Sequence, residues 1–177
     1  GGALAANNIA LNLGQLDNNA GKVTASQDLT LGLQNDFNNL ADSTLQAGRD
    51  LTLSTDGALT NDGQLVAGGK LSTHSASLLN NGNISATQAS LTATGALTNR
   101  GEILPRGRLD TDTNTLFNTG SLISAEATLK ARERITNSGP NALMGATDEN
   151  GTLALLAPVI ENSDLVTSTD TAPTTTL

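Results

Sequence analysis

The sequence predicts an all-β fold: a right-handed parallel β-helix, that is, a solenoid of about eight coils with a period of 19 to 22 residues. Three observations predict it. Leucine or isoleucine returns every nineteen residues at Leu59, Leu78, Leu97, Leu116 and Ile135. Asparagine follows each of them two positions later, at Asn61, Asn80, Asn99, Asn118 and Asn137. The intervals between are short apolar-polar alternations bounded by Gly, Asn and Asp, with no helical stripe in any window.

The first element of each unit is this Leu-x-Asn block, and glycine recurs two positions beyond it, at Gly63, Gly82, Gly101, Gly120 and Gly139. A further apolar pair opens the next stretch, led by Leu65, Ile84, Ile103 and Leu122. Looser copies flank the regular block: Leu16 with Asn18, Phe37 with Asn39, and Ile160 with Asn162, at spacings of 21, 22 and 25. Eight units result, and the extra residues fall at turns, the last interval holding an irregular insertion over 141–151.

The last element is a second alternating stretch, seen as Ile9-x-Leu11-x-Leu13, Leu29-x-Leu31-x-Leu33, Leu51-x-Leu53, Leu71-x-Thr73, Leu91-x-Ala93, Leu109-x-Thr111, Leu129-x-Ala131 and Leu153-x-Leu155. Strands this short gain little alone. Stacked in parallel about 4.8 Å apart, eight coils form a column of roughly 40 Å. In such a column the repeated asparagines (Asn18, Asn39, Asn61, Asn80, Asn99, Asn118, Asn137, Asn162) are expected to hydrogen-bond from coil to coil as a ladder of inward amides. The glycines are expected to supply positive φ at a tight corner. A leucine-rich repeat has a similar period, but its Leu-x-x-Leu-x-Leu-x-x-Asn spacing is not the one present.

Composition narrows the function. Burial falls to Leu, Ile, Val and Ala, because the chain has two phenylalanines, no tyrosine and no tryptophan. A net charge of −8 opposes contact with nucleic acid or an anionic membrane. No cysteine is present, so disulfides and thiolate metal sites are excluded. No signal peptide or apolar run near eighteen residues appears, and the chain opens inside the repeat at Gly1, as expected of a piece of a longer protein.

The chemistry-bearing residues have plain structural readings. Asp110 and Asp112 share the outer face of one strand, the only foothold for a carbohydrate-active enzyme. Aligning Leu109 with Leu129 sets Asp110 beside Lys130 and Asp112 beside Arg132, which is the pairing of a solvated sheet face. His74 falls at an outward position, Asp148-Glu149-Asn150-Gly151 reads as a turn rather than a calcium loop, and Gly68-Gly69 as a corner. Asn83-Ile84-Ser85 and Asn150-Gly151-Thr152 match the short glycosylation sequon, a pattern that also arises by chance. Leu79 and Phe117 are expected to face outward. The division is a repeat array over 1–166 and a Thr/Pro-rich extended linker over 167–177.

Stretches such as Ala58-Leu59-Thr60-Asn61-Asp62-Gly63-Gln64-Leu65-Val66-Ala67 and Ala96-Leu97-Thr98-Asn99-Arg100-Gly101-Glu102-Ile103 resemble the haemagglutinin repeats of filamentous haemagglutinin-type exoproteins. The resemblance runs from Ile9 to about Val166, eight units in register. It implies a chain passed to the bacterial surface by an outer-membrane two-partner secretion transporter, there folding into a filament. Members include adhesins and the toxin-delivery proteins of contact-dependent growth inhibition. The implied role is a structural stalk that presents a distal toxin or receptor-binding region, toxin delivery being favoured over the shaft of an adhesin. No catalytic residue, cofactor, metal, nucleic acid or small-molecule substrate is expected, and any target-cell receptor would be met through regions outside this segment.

Overall fold

The computed structural model describes residues 1–163 and 166–168, and among these the alternation of apolar and polar residues punctuated by Gly, Asn and Asp produces strands and no helix. The first turn holds β1 (Ala3–Ala6) and β2 (Ile9–Leu13). The second holds β3 (Lys22–Ala25), β4 (Leu29–Leu33) and β5 (Phe37–Asn39), and the third β6 (Thr44–Ala47), β7 (Leu51–Thr55) and β8 (Ala58–Asn61). The fourth holds β9 (Gln64–Ala67), β10 (Lys70–Ser75) and β11 (Ser77–Asn80), and the fifth β12 (Asn83–Ala86), β13 (Gln88–Ala93) and β14 (Ala96–Asn99). In the sixth and seventh turns the second and third strands run together, giving β15 (Glu102–Pro105) with β16 (Arg108–Asn118), then β17 (Ser121–Ser124) with β18 (Glu126–Asn137). The eighth holds β19 (Leu143–Ala146), β20 (Leu153–Leu156) and β21 (Val159–Asn162), and β22 (Val166–Ser168) follows.

Every pairing among these strands is parallel and joins equivalent strands of neighbouring turns, so the molecule is a three-faced solenoid. The first face runs β1-β3-β6-β9-β12-β15-β17-β19-β22. The second runs β2-β4-β7-β10-β13, then the leading halves of β16 and β18, then β20. The third runs β5-β8-β11-β14, the trailing halves of β16 and β18, then β21. Eight rungs on the second face span about seven turns of about 20 residues, in keeping with the expected coil number.

Alternate side chains of each strand meet inside. On the third face Leu59, Leu78, Leu97, Leu116 and Ile135 pair in sequence and are 0–1% exposed. On the first face Leu45, Leu65, Ile84, Ile103, Leu122 and Met144 form the matching column, all fully buried.

The second face departs from the sequence alignment. Leucines at the head of the alternating stretches do not stack on one another between turns four and seven. Leu71 pairs with Ala89, Ala89 with Leu109, and Leu109 with Ala127. The adjacent inward column is the complement: Thr73, Leu91, Thr111, Leu129. Each of these turns therefore contributes one leucine and one small residue, in opposite order to its neighbours. The cause is at the corners. Three residues (68–70) separate the inward Ala67 and Leu71, two (87–88) separate Ala86 and Ala89, three (106–108) precede Leu109, and two (125–126) precede Ala127. The next corner compensates, so the third face keeps its spacing of nineteen.

Within the expected insertion, β19 is a regular rung of the first face, and the irregular corners lie on either side of it. β22 pairs with β19 through Gly145↔Thr167 and Ala146↔Ser168. The rest of the expected linker, residues 169–177, lies outside the described residues.

Candidate functional site

An inward asparagine closes the third strand of each turn because the chain must bend there while its polar groups still need partners. The eight asparagines lie one above another. Asn18 Nδ2 donates to Asn39 Oδ1 at 3.3 Å, and each step from Asn39 through Asn61, Asn80, Asn99 and Asn118 to Asn137 repeats this at 2.8 Å. Asn137 Nδ2 reaches Asn162 Oδ1 at 2.9 Å. The second amide hydrogen is used as well: Asn61, Asn80, Asn99 and Asn118 donate to the carbonyls of Asn83, Glu102, Ser121 and Leu143 at 3.0–3.1 Å. The six central asparagines, Asn39 to Asn137, are 0–1% exposed. Their own carbonyls are busy too, that of Asn80 accepting from both Arg100 and Gly101 N–H at 2.7 and 3.1 Å.

The glycines two residues on also form a column, but for a reason other than the one expected. Among them only Gly139 has a positive φ, at 121°. Gly63, Gly82, Gly101 and Gly120 lie outside the left-handed region and are required for closeness instead. A Cβ at Gly82 would lie 2.1 Å from the Gly63 carbonyl oxygen, one at Gly101 2.2 Å from that of Gly82, and one at Gly120 2.1 Å from that of Gly101. Backbone stacks directly on backbone at this corner, leaving no room for a side chain.

A second polar column is one that the spacing of residues did not suggest. Asn8 Oδ1 accepts the Asp28 N–H at 3.3 Å, Asp28 Oδ1 accepts the Asp50 N–H at 3.3 Å, and Asp50 Oδ1 accepts the Lys70 N–H at 2.8 Å. Each caps the entry to a second-face strand one turn later. Its signal in the sequence is Asn8-Ile9-x-Leu11, Asp28-Leu29-x-Leu31 and Asp50-Leu51-x-Leu53. Arg49 clasps Asp28 with both Nε and Nη2. That hydrogen-bonded guanidinium, aided by the Asp50 N–H, holds the Asp28 carboxyl below the usual aspartate range, against the opposing effect of desolvation.

The acidic pair on β16 is neutralised rather than poised for chemistry, and its partners differ from those expected. Asp110 pairs with Arg108 on its own strand, Nε to Oδ2 at 2.8 Å, and lies opposite Thr128 rather than Lys130. Asp112 takes both expected cations, Lys130 Nζ at 3.4 Å and Arg132 Nη2 at 3.0 Å. The two-residue difference follows from Leu109 pairing with Ala127 instead of Leu129. Arg108 Nη1 also meets Glu126 at 3.6 Å and Arg134 Nη1 meets Glu161 at 3.1 Å, giving an exposed charge network across three turns.

His74 is exposed, and among the described residues no group of three His, Cys, Asp or Glu comes together to hold a metal. Residues 148–151 form a turn closed by Gly151 N–H on the Asp148 carbonyl at 2.9 Å. Asn83, the head of one sequon, is built into β12, where Nδ2 donates to Glu102 Oε2 at 3.3 Å. Leu79, Thr98 and Phe117 occupy successive outward positions, Phe117 being 38% exposed. An open trough runs along the glycine corner, lined by Asp62, Gln64, Asn81 and Glu102 among others and by no aromatic ring. Such a surface offers nothing for a sugar ring to stack upon.

Comparison with known proteins agrees with this geometry. The haemagglutinin repeat family matches residues 1–39, 32–101 and 106–139. Across all 177 residues the chain is 84% identical to a protein named Toxin CdiA from Yersinia pestis, of whose length it spans about 5%. No solved structure matches.

Proposed function

The chain belongs to the haemagglutinin repeat family, and from that membership we propose that it is a length of stalk in a secreted, surface-displayed filament of contact-dependent growth inhibition. Its work is mechanical: to hold a toxin or receptor-binding region, carried elsewhere on the longer chain, at a fixed distance from the producing cell. The observation that carries this reading is the asparagine column, unbroken through eight turns, beside a β16 strand whose two outward carboxylates, Asp110 and Asp112, are taken up in ion pairs. A column of coupled turns is stiff, because bending it stretches backbone ladders on at least one face.

Such a filament reaches the surface through an outer-membrane two-partner secretion transporter and meets its target-cell receptor through other segments. Lack of cysteine suits passage of an unfolded chain through a periplasm that would otherwise cross-link it. In the full-length protein, this segment replaced by an equal number of turns from another haemagglutinin-repeat region should leave secretion, display and growth inhibition at the parental level. Lost inhibition with intact display would assign a contact role to this surface and overturn the stalk reading.

A further inference from the structure

The third face repeats every nineteen residues with the same Leu-x-Asn-x-Gly signature, so any turn could stack on any other as far as its asparagine and glycine columns are concerned. A turn that skipped its neighbour and paired with the next but one would still complete both columns. That is a hazard for a repeating chain. The second face removes it. We propose that turns four to seven carry a two-turn, 38-residue code in which alternation of core volume and corner length marks each turn as fitting only its immediate neighbour.

Two linked features alternate together. In the core, Leu71 sits against Ala89 and Thr73 against Leu91, and the order inverts at Leu109 with Thr111 and again at Ala127 with Leu129. A skipped turn would oppose Leu71 to Leu109 and Thr73 to Thr111, pairing like with like where the native turns pair large with small and leaving space where Thr73 meets Thr111. At the corner, three-residue and two-residue crossings alternate, and backbone hydrogen bonds depend on the mismatch. The Gly69 carbonyl accepts from both Thr87 and Gln88 N–H at 2.9 and 3.1 Å, and the Gly107 carbonyl from both Ala125 and Glu126 N–H at 2.8 and 3.1 Å. One glycine carbonyl on the long crossing thus serves two donors of the short crossing above it. A long crossing placed on a long crossing loses that arrangement.

Three deletions in this chain test the code. Removing residues 78–96 brings β10 directly against β16, and removing 97–115 brings β13 against β18, each joining turns of like phase. Removing 78–115, the sum of the two, sets β10 against β18 and restores Leu71 opposite Ala127 with the native separation of 18. Thermal melts followed by circular dichroism should give the 38-residue deletion a higher Tm than either 19-residue deletion, although it is the shorter rod. A folded two-turn deletion beside one-turn deletions that fail to fold supports the code equally. A Tm that falls steadily with each turn removed, or a two-turn deletion that does not fold, overturns the code, since turns would then be interchangeable.

Discussion

Asn80 Nδ2 donates to Asn99 Oδ1 at 2.8 Å, and Asn99 in turn donates to Asn118 Oδ1 at the same distance and to the Ser121 carbonyl at 3.0 Å. Asn99→Asp therefore replaces two donors with a carboxylate facing two acceptors. An uncompensated buried charge costs about 3 to 5 kcal/mol, which for a chain of this size lowers Tm by roughly 10 °C. Burial and the facing oxygens would raise the folded-state pKa of the introduced carboxyl above the ordinary aspartate value of about 3.9. The variant should accordingly recover stability in acid, keep it below that ordinary value, and lose it as pH rises through the raised one. Asp62→Asn, at a surface corner where Asn81 Nδ2 donates to Asp62 Oδ1 at 2.7 Å, keeps an acceptor and should stay within about 0.5 kcal/mol of the parent. Equal melting temperatures for the two variants would show that the column does not stabilise the rod.

The glycine column makes a steric prediction. Gly101→Ala drives a Cβ to within 2.2 Å of the Gly82 carbonyl oxygen, and relief requires one turn to shift on another. The cost should exceed about 3 kcal/mol, the upper end for overpacking. Gly139→Ala meets nothing nearer than 3.7 Å and suffers only from its φ of +121°, a strain of about 1 to 3 kcal/mol. Urea titrations should rank the variants in that order, and a reversed ranking would restore positive φ as the reason for glycine here.

Thr73 Oγ1 is buried without a hydrogen-bond partner. Removing an unsatisfied buried hydroxyl while keeping the shape recovers part of a penalty of about 1 to 3 kcal/mol, so Thr73→Val should raise Tm by a few degrees. Thr111, two turns on in the same column, accepts the Lys130 N–H at 3.1 Å, and Thr111→Val should be destabilising instead. Calorimetry of the pair would detect the opposite signs.

Acid should weaken the clasp between Asp28 and Arg49. The folded-state pKa of Asp28 is depressed by the Arg49 hydrogen bond, so its contribution is fully present above the ordinary aspartate value and lost as pH falls through the depressed one. Asp28→Asn should flatten that part of the acid limb, and added salt should weaken the effect because the pair is exposed. An acid limb identical in variant and parent would place the sensitivity elsewhere.

The third face was legible because its spacing holds at nineteen from Leu59 to Ile135 and asparagine marks the same place in every turn. On the second face the eye pairs like with like. Leucines at 71, 91, 109 and 129 invite a common column, whereas the sheet sets Leu71 on Ala89, since what repeats there is the summed volume of two positions, not the identity of either. That two-residue difference also misdirected the partner of Asp110. Glycine is ambiguous for a related reason, because a missing Cβ serves either an unusual φ or a close approach, and only the folded backbone separates Gly139 from Gly101. The cap formed by Asp28 and Asp50 was hidden by chemistry. An aspartate before an alternating strand reads as a generic turn residue until the N–H one turn later is in view.

All the ladder amides hand their hydrogens in one direction, toward later residues. The column therefore has a sense, like an arrow, each amide from Asn39 to Asn137 accepting from the turn before and donating to the turn after. Two such shafts meeting tip to tip could extend the line of bonds only when both arrows point the same way, since the opposed encounter sets oxygen on oxygen or hydrogen on hydrogen. Any end-on joint built through this column would be directional and without twofold symmetry.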